Sequence, residues 1–191
     1  MKLTIVRHGH SAGNAIGSLT GTDADPLTSM GKEQAQEVGR QLSTRGAFDL
    51  IYSSPATRAL HTAALAGFAE PVALPSLKET DGGVWGGRPR AEFEAAFPDF
   101  FSPLDMDRPY PGGESHSAMA RRVQVFLHDL MEIRPDNAIV FTHLGPLNVM
   151  LHTLLEIDLS RFPLFALKNC AIVELSIKSD GRQSRAVRAG F

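Results

Sequence analysis

The chain has 191 residues, 43% of them hydrophobic and 21% charged, with a net charge of −2 at pH 7. That balance describes one globular domain, residues 1–191, large enough to bury a core, and it argues against a nucleic-acid or membrane surface. The apolar runs are too short for a bilayer span and no signal-peptide h-region precedes the first motif, so a cytoplasmic location is expected. A single cysteine, Cys170, excludes an internal disulfide and a Cys-based metal cluster and reads as a small buried residue.

In chain order, the β-rich run Leu3–Val6 ends in Arg7-His8-Gly9, which sets charged groups at the C-terminal mouth of a strand. Thr28 or Ser29 caps a helix in which Ala35, Val38 and Leu42 repeat at helical spacing, ending near Gly46. A second strand, Leu50–Tyr52, leads into Ser54-Pro55, a capping hydroxyl followed by a proline suited to the first helical position, and predicts a helix to about Gly67. Residues from about 80 to 113 are rich in Gly, Pro, Phe and Arg without a long period. They predict an insertion over the C-terminal edge of the sheet, acting as a lid, with a short helix around Ala91–Phe97. A long helix runs from about Ser115 to Ile133, a strand occupies Ala138–Phe141, and a last helix follows Pro146. Ile172–Ile177, the turn Asp180-Gly181 and Ala186-Val187 predict an edge hairpin. Strands alternating with helices imply α/β architecture: a three-layer sandwich around a mostly parallel sheet.

Four segments converge on one sheet edge: Arg7-His8-Gly9 with Asn14, Ser53-Ser54-Pro55 with Arg58, Leu77-Lys78-Glu79, and Thr142-His143 with Gly145. In open α/β sheets ligands bind beyond the carboxyl ends of the strands. Arg58 falls in a first helical turn, where the dipole disfavours a cation unless an anion is bound nearby. Two arginines, two histidines and a carboxylate suit phosphoryl transfer. Guanidinium forks hold nonbridging oxygens, a histidine attacks phosphorus and a carboxylic acid protonates the leaving alcohol. Asp81 is a rival to Glu79 as the acid, and Glu114 reads equally as a helix N-terminal charge. His61, His116, His128 and His152 read as helix-surface or helix-end residues, and none has metal-ligand spacing.

These segments, with Ser11, Thr62 and Pro111-Gly112-Gly113-Glu114-Ser115, resemble the histidine phosphatase superfamily, which contains the cofactor-dependent phosphoglycerate mutases, in its branch of small phosphatases. The resemblance covers nearly the whole chain. It implies a phosphohistidine on His8, a phosphate clamp of Arg7, Arg58 and His143, Glu79 as proton donor, Asn14 at a position that helps bind phosphate or substrate, and no metal or cofactor. It departs at Gly86, where the family commonly has glutamate, and at His10, where many relatives are acidic; His10 is either a spectator or an electrostatic influence on His8. The function implied is hydrolysis of a small organic phosphomonoester, with the insertion's aromatics (Trp85, Phe93, Phe97, Phe100, Phe101, Tyr110) partly lining the pocket. The alternatives are mutase-type phosphoryl transfer, a protein phosphohistidine phosphatase and a non-catalytic phosphoryl-binding module.

Overall fold

In the computed structural model, residues 1–177 and the strand Arg188–Gly190 are described. Six strands form one sheet: β1 (Lys2–Arg7), β2 (Leu50–Ser53), β3 (Val72–Ala73), β4 (Asn137–Thr142), β5 (Ile172–Ser176) and β6 (Arg188–Gly190), in the order β3-β2-β4-β1-β5-β6. The four strands from β3 to β1 run parallel, and β5 is antiparallel to both β1 and β6. The predicted edge hairpin is therefore present as a strand pair, while its turn Asp180-Gly181 and Ala186-Val187 lie outside the described residues.

The helices are α1 (Ala12–Ala15), α2 (Ser29–Leu42), α3 (Thr57–Leu65), α4 (Arg90–Ala96), α5 (His116–Ile133) and α6 (Leu144–Leu154). Period-2 alternation sends Leu3, Ile5, Ala138, Val140, Val173 and Leu175 into one core with α5 and α6. Val6, Ile139, Phe141 and Ile172 pack on the opposite face with Val38, Leu42 and Ala63 of α2 and α3. Both faces of the central strands are thus covered, which is what a parallel sheet requires. Among the described residues no helix is long and apolar enough to cross a membrane.

Thr28 and Ser115 cap α2 and α5 by accepting from backbone amides three residues on, as their side-chain chemistry predicts. Two predicted starts are wrong. Helix α3 begins at Thr57 with Ala56 at the cap, because the Ser54 hydroxyl is drawn into a side-chain contact described below. Helix α6 begins at Leu144, so Pro146 sits inside its first turn, where a missing amide hydrogen leaves no bond unmade. The short α1 and β3 carry too little periodicity to be read from sequence.

Helix α2 is brought unusually close to the loop after β1. A Cβ on Gly31 would overlap the His10 carbonyl, and one on Gly9 would lie 2.5 Å from the Gly31 carbonyl oxygen. Gly31→Ala is expected to destabilise the protein by about 1–3 kcal/mol, since backbone on both sides must move. The midpoint of urea denaturation checks this, and an unchanged midpoint would mean that α2 retreats freely.

Candidate active site

The parallel pairing of β1 with β4 sets Arg7 level with Thr142, so the residues that follow, His8 and His143, emerge side by side; their ring centroids are 5.0 Å apart. His8 is buried, and its Nδ1 lies 2.7 Å from the Gly9 carbonyl. A carbonyl only accepts, so Nδ1 carries the hydrogen and Nε2 the lone pair. That lone pair accepts from Nε–H of Arg58 at 3.3 Å. Burial, and then the Arg58 charge, hold the His8 imidazole well below its ordinary range, so it stays neutral. His10 turns away to Thr28 (Nδ1 to Oγ1, 3.0 Å).

The His8 backbone is gripped from the loop before β5. Cys170 N–H donates to the Arg7 and His8 carbonyls at 3.1 and 3.2 Å, and Asn169 Nδ2 donates to the His8 carbonyl at 3.1 Å. Cys170 adopts a left-handed φ of 60° to reach them. It is half-buried rather than fully buried, and burial pushes its thiol up to about 12, so it stays protonated. Arg7 donates through one terminal nitrogen to the Leu167 carbonyl, while its Nε is buried without a partner among the described residues.

Arg58, in the first turn of α3, is buried and donates to the Thr22 carbonyl at 2.6 Å, with Asp25 at 3.8 Å. Asp25 also accepts from Ser11 Oγ at 2.6 Å and Gly13 N–H at 2.8 Å, tying α1 to this cluster. His143 is fully buried. Its Nε2 lies 2.8 Å from Ser54 Oγ, which in turn accepts from Ala56 N–H at 3.3 Å. With one hydrogen and two lone pairs, the Ser54 hydroxyl can pair with either tautomer of His143. His143 Nδ1 has no partner among the described residues. Burial, then Arg58, keep this ring neutral as well.

Glu79 accepts from Thr80 N–H at 2.9 Å and from Gly145 N–H at 3.2 Å, the latter in the first turn of α6 where amides are otherwise free. Its negative charge supports both Arg7 and Arg58 against the burial that lowers their proton affinity. Gly145 is needed here, because a Cβ would overlap the Glu79 carboxylate. The segment carrying Glu79 is held by Arg122 of α5, which donates to the Ser76, Lys78 and Glu79 carbonyls at 2.8, 2.7 and 3.0 Å and pairs with Glu114. Glu114 therefore anchors Arg122, and it accepts from Asp81 N–H at 3.0 Å; it is not merely a helix-end charge. Asp81 bonds to Gly83 N–H at 2.9 Å and is exposed.

The insertion folds around its own aromatic cluster. Phe93, Phe100 and Tyr110 are buried against one another, with Trp85, Phe97, Phe101 and Leu19 around them. Phe93, Phe100 and Tyr110 are therefore spent on packing and do not line a pocket. The cluster joins the site through Thr20, whose carbonyl accepts from Gly87 N–H at 2.6 Å. At Gly86 a Cβ would find Gly83 O at 3.3 Å and Thr20 Oγ1 at 3.7 Å, so the fold does not demand glycine there.

Five residues singled out from sequence, Arg7, His8, Arg58, Glu79 and His143, are thus brought together. Asn14 stands one step back: its Oδ1 accepts from Ser11 N–H and from Asn169 Nδ2, so it reaches His8 only through Asn169. Sequence reasoning missed Asp25, Asn169 and Arg122, which act through main-chain bonds over long separations and leave no local pattern. His116 opens α5 and His152 lies in the last turn of α6, helix-end positions as expected, but both are more buried than a surface residue. His152 is buried with Nδ1 on the Ile157 and Asp158 carbonyls, and His116 lies mostly buried between Thr80 and Tyr110.

Known proteins are similar to this chain in sequence and fold. The chain is 32% identical over 180 residues to phosphoserine phosphatase 1 of Hydrogenobacter thermophilus, covering 90% of this chain and 84% of that one. It is 30% identical over 166 residues to the 2,3-bisphosphoglycerate-dependent phosphoglycerate mutase of a Bradyrhizobium strain, 80% of each chain. The crystal structure of the alpha-ribazole phosphatase from Shigella flexneri superposes with a TM-score of 0.86 at 27% identity, over 98% of this chain and 96% of that one. The sequence profile of the histidine phosphatase superfamily (branch 1) matches residues 3–189, and the chain belongs to that superfamily.

Proposed function

We propose that the protein is a phosphomonoesterase that works through a phosphohistidine on His8, needs no metal, and acts on a small organic phosphate. The observation carrying this reading is the tautomer of His8: the Nδ1 bond to Gly9 leaves the lone pair on Nε2, where its one partner is Arg58 Nε–H, a donor that a phosphate oxygen can take over. The phosphoryl group would lie between Arg7, Arg58 and His143, and in the tautomer with its hydrogen on Nδ1 the His143 ring would donate to a phosphate oxygen. Nε2 attacks phosphorus, the N–P bond forms, and the ester P–O bond breaks with its electron pair going to the leaving oxygen. Glu79, protonated in the enzyme–substrate complex, supplies its proton to that oxygen and is left as the carboxylate. In the second half a water attacks phosphorus, Glu79 takes its proton, and the N–P pair returns to His8. Most of the acceleration comes from positioning and from cationic groups already in place where charge develops.

Hydrolysis is favoured over mutase transfer by the state of the insertion's cations. Arg88 and Arg90 are paired with Glu92 and Glu94 at 2.9 and 2.7 Å and lie over Trp85 and Phe101, with Arg108 over Phe100. For Arg88 or Arg90 to hold a substrate carboxylate, its pairing within the insertion would have to break. The test is phosphate release from a panel of phosphomonoesters in EDTA, with rapid quenching to trap an acid-labile phosphoprotein. Turnover with a trapped phosphohistidine is expected. Efficient conversion of 3-phosphoglycerate to 2-phosphoglycerate after priming with bisphosphoglycerate would overturn the hydrolase reading.

A further inference from the structure

Helix α5 reaches the Glu79 segment at two separate places. Arg122 holds the main chain before Thr80, ending on the Glu79 carbonyl. Thr80 itself is reached from the first position of the helix, His116. Thr80 is buried, and its N–H is one of the two donors that hold the Glu79 carboxylate. The Thr80 hydroxyl lies 3.4 Å from His116 Nδ1 and has no other partner among the described residues. Hydroxyl and amide belong to one residue, so what fixes the first orients the second.

The other nitrogen of the His116 ring looks the opposite way. Nε2 lies 3.3 Å from the Tyr110 hydroxyl, which also has no second partner among the described residues. Tyr110 is buried in the insertion's aromatic core and stacks on Phe100 with ring centres 4.9 Å apart. Phe162 walls the imidazole from a further side, at 5.2 Å between ring centres. A neutral imidazole has one hydrogen and one lone pair, so it can accept from one hydroxyl and donate to the other. Burial holds His116 below its ordinary range, against the pull of Glu79 and Glu114. Near neutral pH it therefore joins the two hydroxyls by hydrogen bonds rather than by charge. An apolar ring would fill the same space, and packing alone does not call for two buried hydroxyls on its two nitrogens.

We propose that His116 is a positioning residue for the proton donor: bridging Tyr110 and Thr80, it ties the Glu79 carboxyl to the core of the insertion. The proposal rests on the phosphatase reading with Glu79 as the acid, and extends it to a residue that acts only through Glu79. Seating of the insertion thereby becomes part of the acid's geometry.

The experiment compares kcat/KM for phenyl phosphate and p-nitrophenyl phosphate, which share a ring and differ in how much the leaving oxygen needs a proton. Both are measured in the native protein, Glu79→Gln, His116→Phe and Tyr110→Phe. Glu79→Gln should lower phenyl phosphate far more than p-nitrophenyl phosphate, moving their ratio by about 10²-fold. His116→Phe keeps a ring and loses both nitrogens. It should lower both values and move the ratio in the same direction by roughly tenfold, the scale of a displaced proton donor. A role in packing alone would lower the two esters together. Tyr110→Phe removes one hydroxyl and keeps the ring, and should shift the ratio by roughly two- to threefold; it decides the matter if His116→Phe does not fold. A ratio unmoved in folded His116→Phe, or in Tyr110→Phe where the former is unfolded, overturns the proposal while the differential loss in Glu79→Gln keeps the acid assignment standing. If Glu79→Gln lowers both esters equally, the proton-donor reading itself fails and this inference falls with it.

Discussion

Replacing His8 by alanine is expected to abolish the phosphorylated intermediate and lower kcat/KM by about 10⁴-fold or more, the scale on which removal of a covalent nucleophile acts. Nothing else in the site can substitute. His143 lies with its ring centre 5.0 Å away, but its Nε2 is engaged by Ser54. The Cys170 thiol is held protonated by burial. Steady-state phosphate release, with quenched-flow detection of the phosphoprotein, measures the effect. Because His8 fills a buried position between Gly9 and Arg58, a thermal melt of the variant belongs beside the kinetics. A folded His8→Ala protein that still released phosphate at a tenth of the native rate would exclude the phosphohistidine route.

Arg58→Ala is expected to reduce kcat/KM by roughly 10²–10³-fold, as for loss of one preorganised donor to the developing charge, or about 3–4 kcal/mol of transition-state stabilisation. It carries a second, separable signature in pH. The Arg58 charge is the second cause, after burial, that lowers the His8 proton affinity. His8 attacks only when neutral, so the acid limb of kcat/KM follows the His8 titration. Removing the guanidinium removes a repulsion against the imidazolium, the His8 pKa rises, and the acid limb moves to higher pH. Burial persists, so the limb remains below that of an unperturbed histidine. A variant with reduced activity and an unmoved acid limb would mean that Arg58 binds phosphate without acting on His8.

How legible this molecule is in its sequence depended on whether a residue's partners are local. His8, Arg58 and His143 follow strands or open helices at fixed offsets, so their convergence at one edge could be derived once the strands were recognised. The near-continuous apolar runs of β1 and β4, set between helical patterns, similarly declared a sheet covered on both faces. Ser54 was misassigned because its hydroxyl had two competing uses, and a partner 89 residues away prevailed over the local helix cap. The insertion's aromatics were only partly legible for a related reason. Composition announces a cluster of rings without saying whether they face a ligand or one another, and here Phe93, Phe100 and Tyr110 chose one another. Asn169 and Asp25 have no signature at all, since each serves backbone and side-chain groups remote in the chain.

Arg122 takes hold of the Glu79 segment by carbonyl oxygens alone, those of Ser76, Lys78 and Glu79. Main-chain carbonyls are the same whatever side chain they carry, so this grip is blind to the identity of residues 76 and 78. Substitutions at those two positions should accumulate freely in descendants of this chain. The constraint that keeps the carboxylate in place is instead inherited at Arg122 and Glu114, far along the chain. A saturation library would then show a tolerant stretch leading into Glu79 and two intolerant positions, Glu114 and Arg122, on either side of the start of α5 and its first turns.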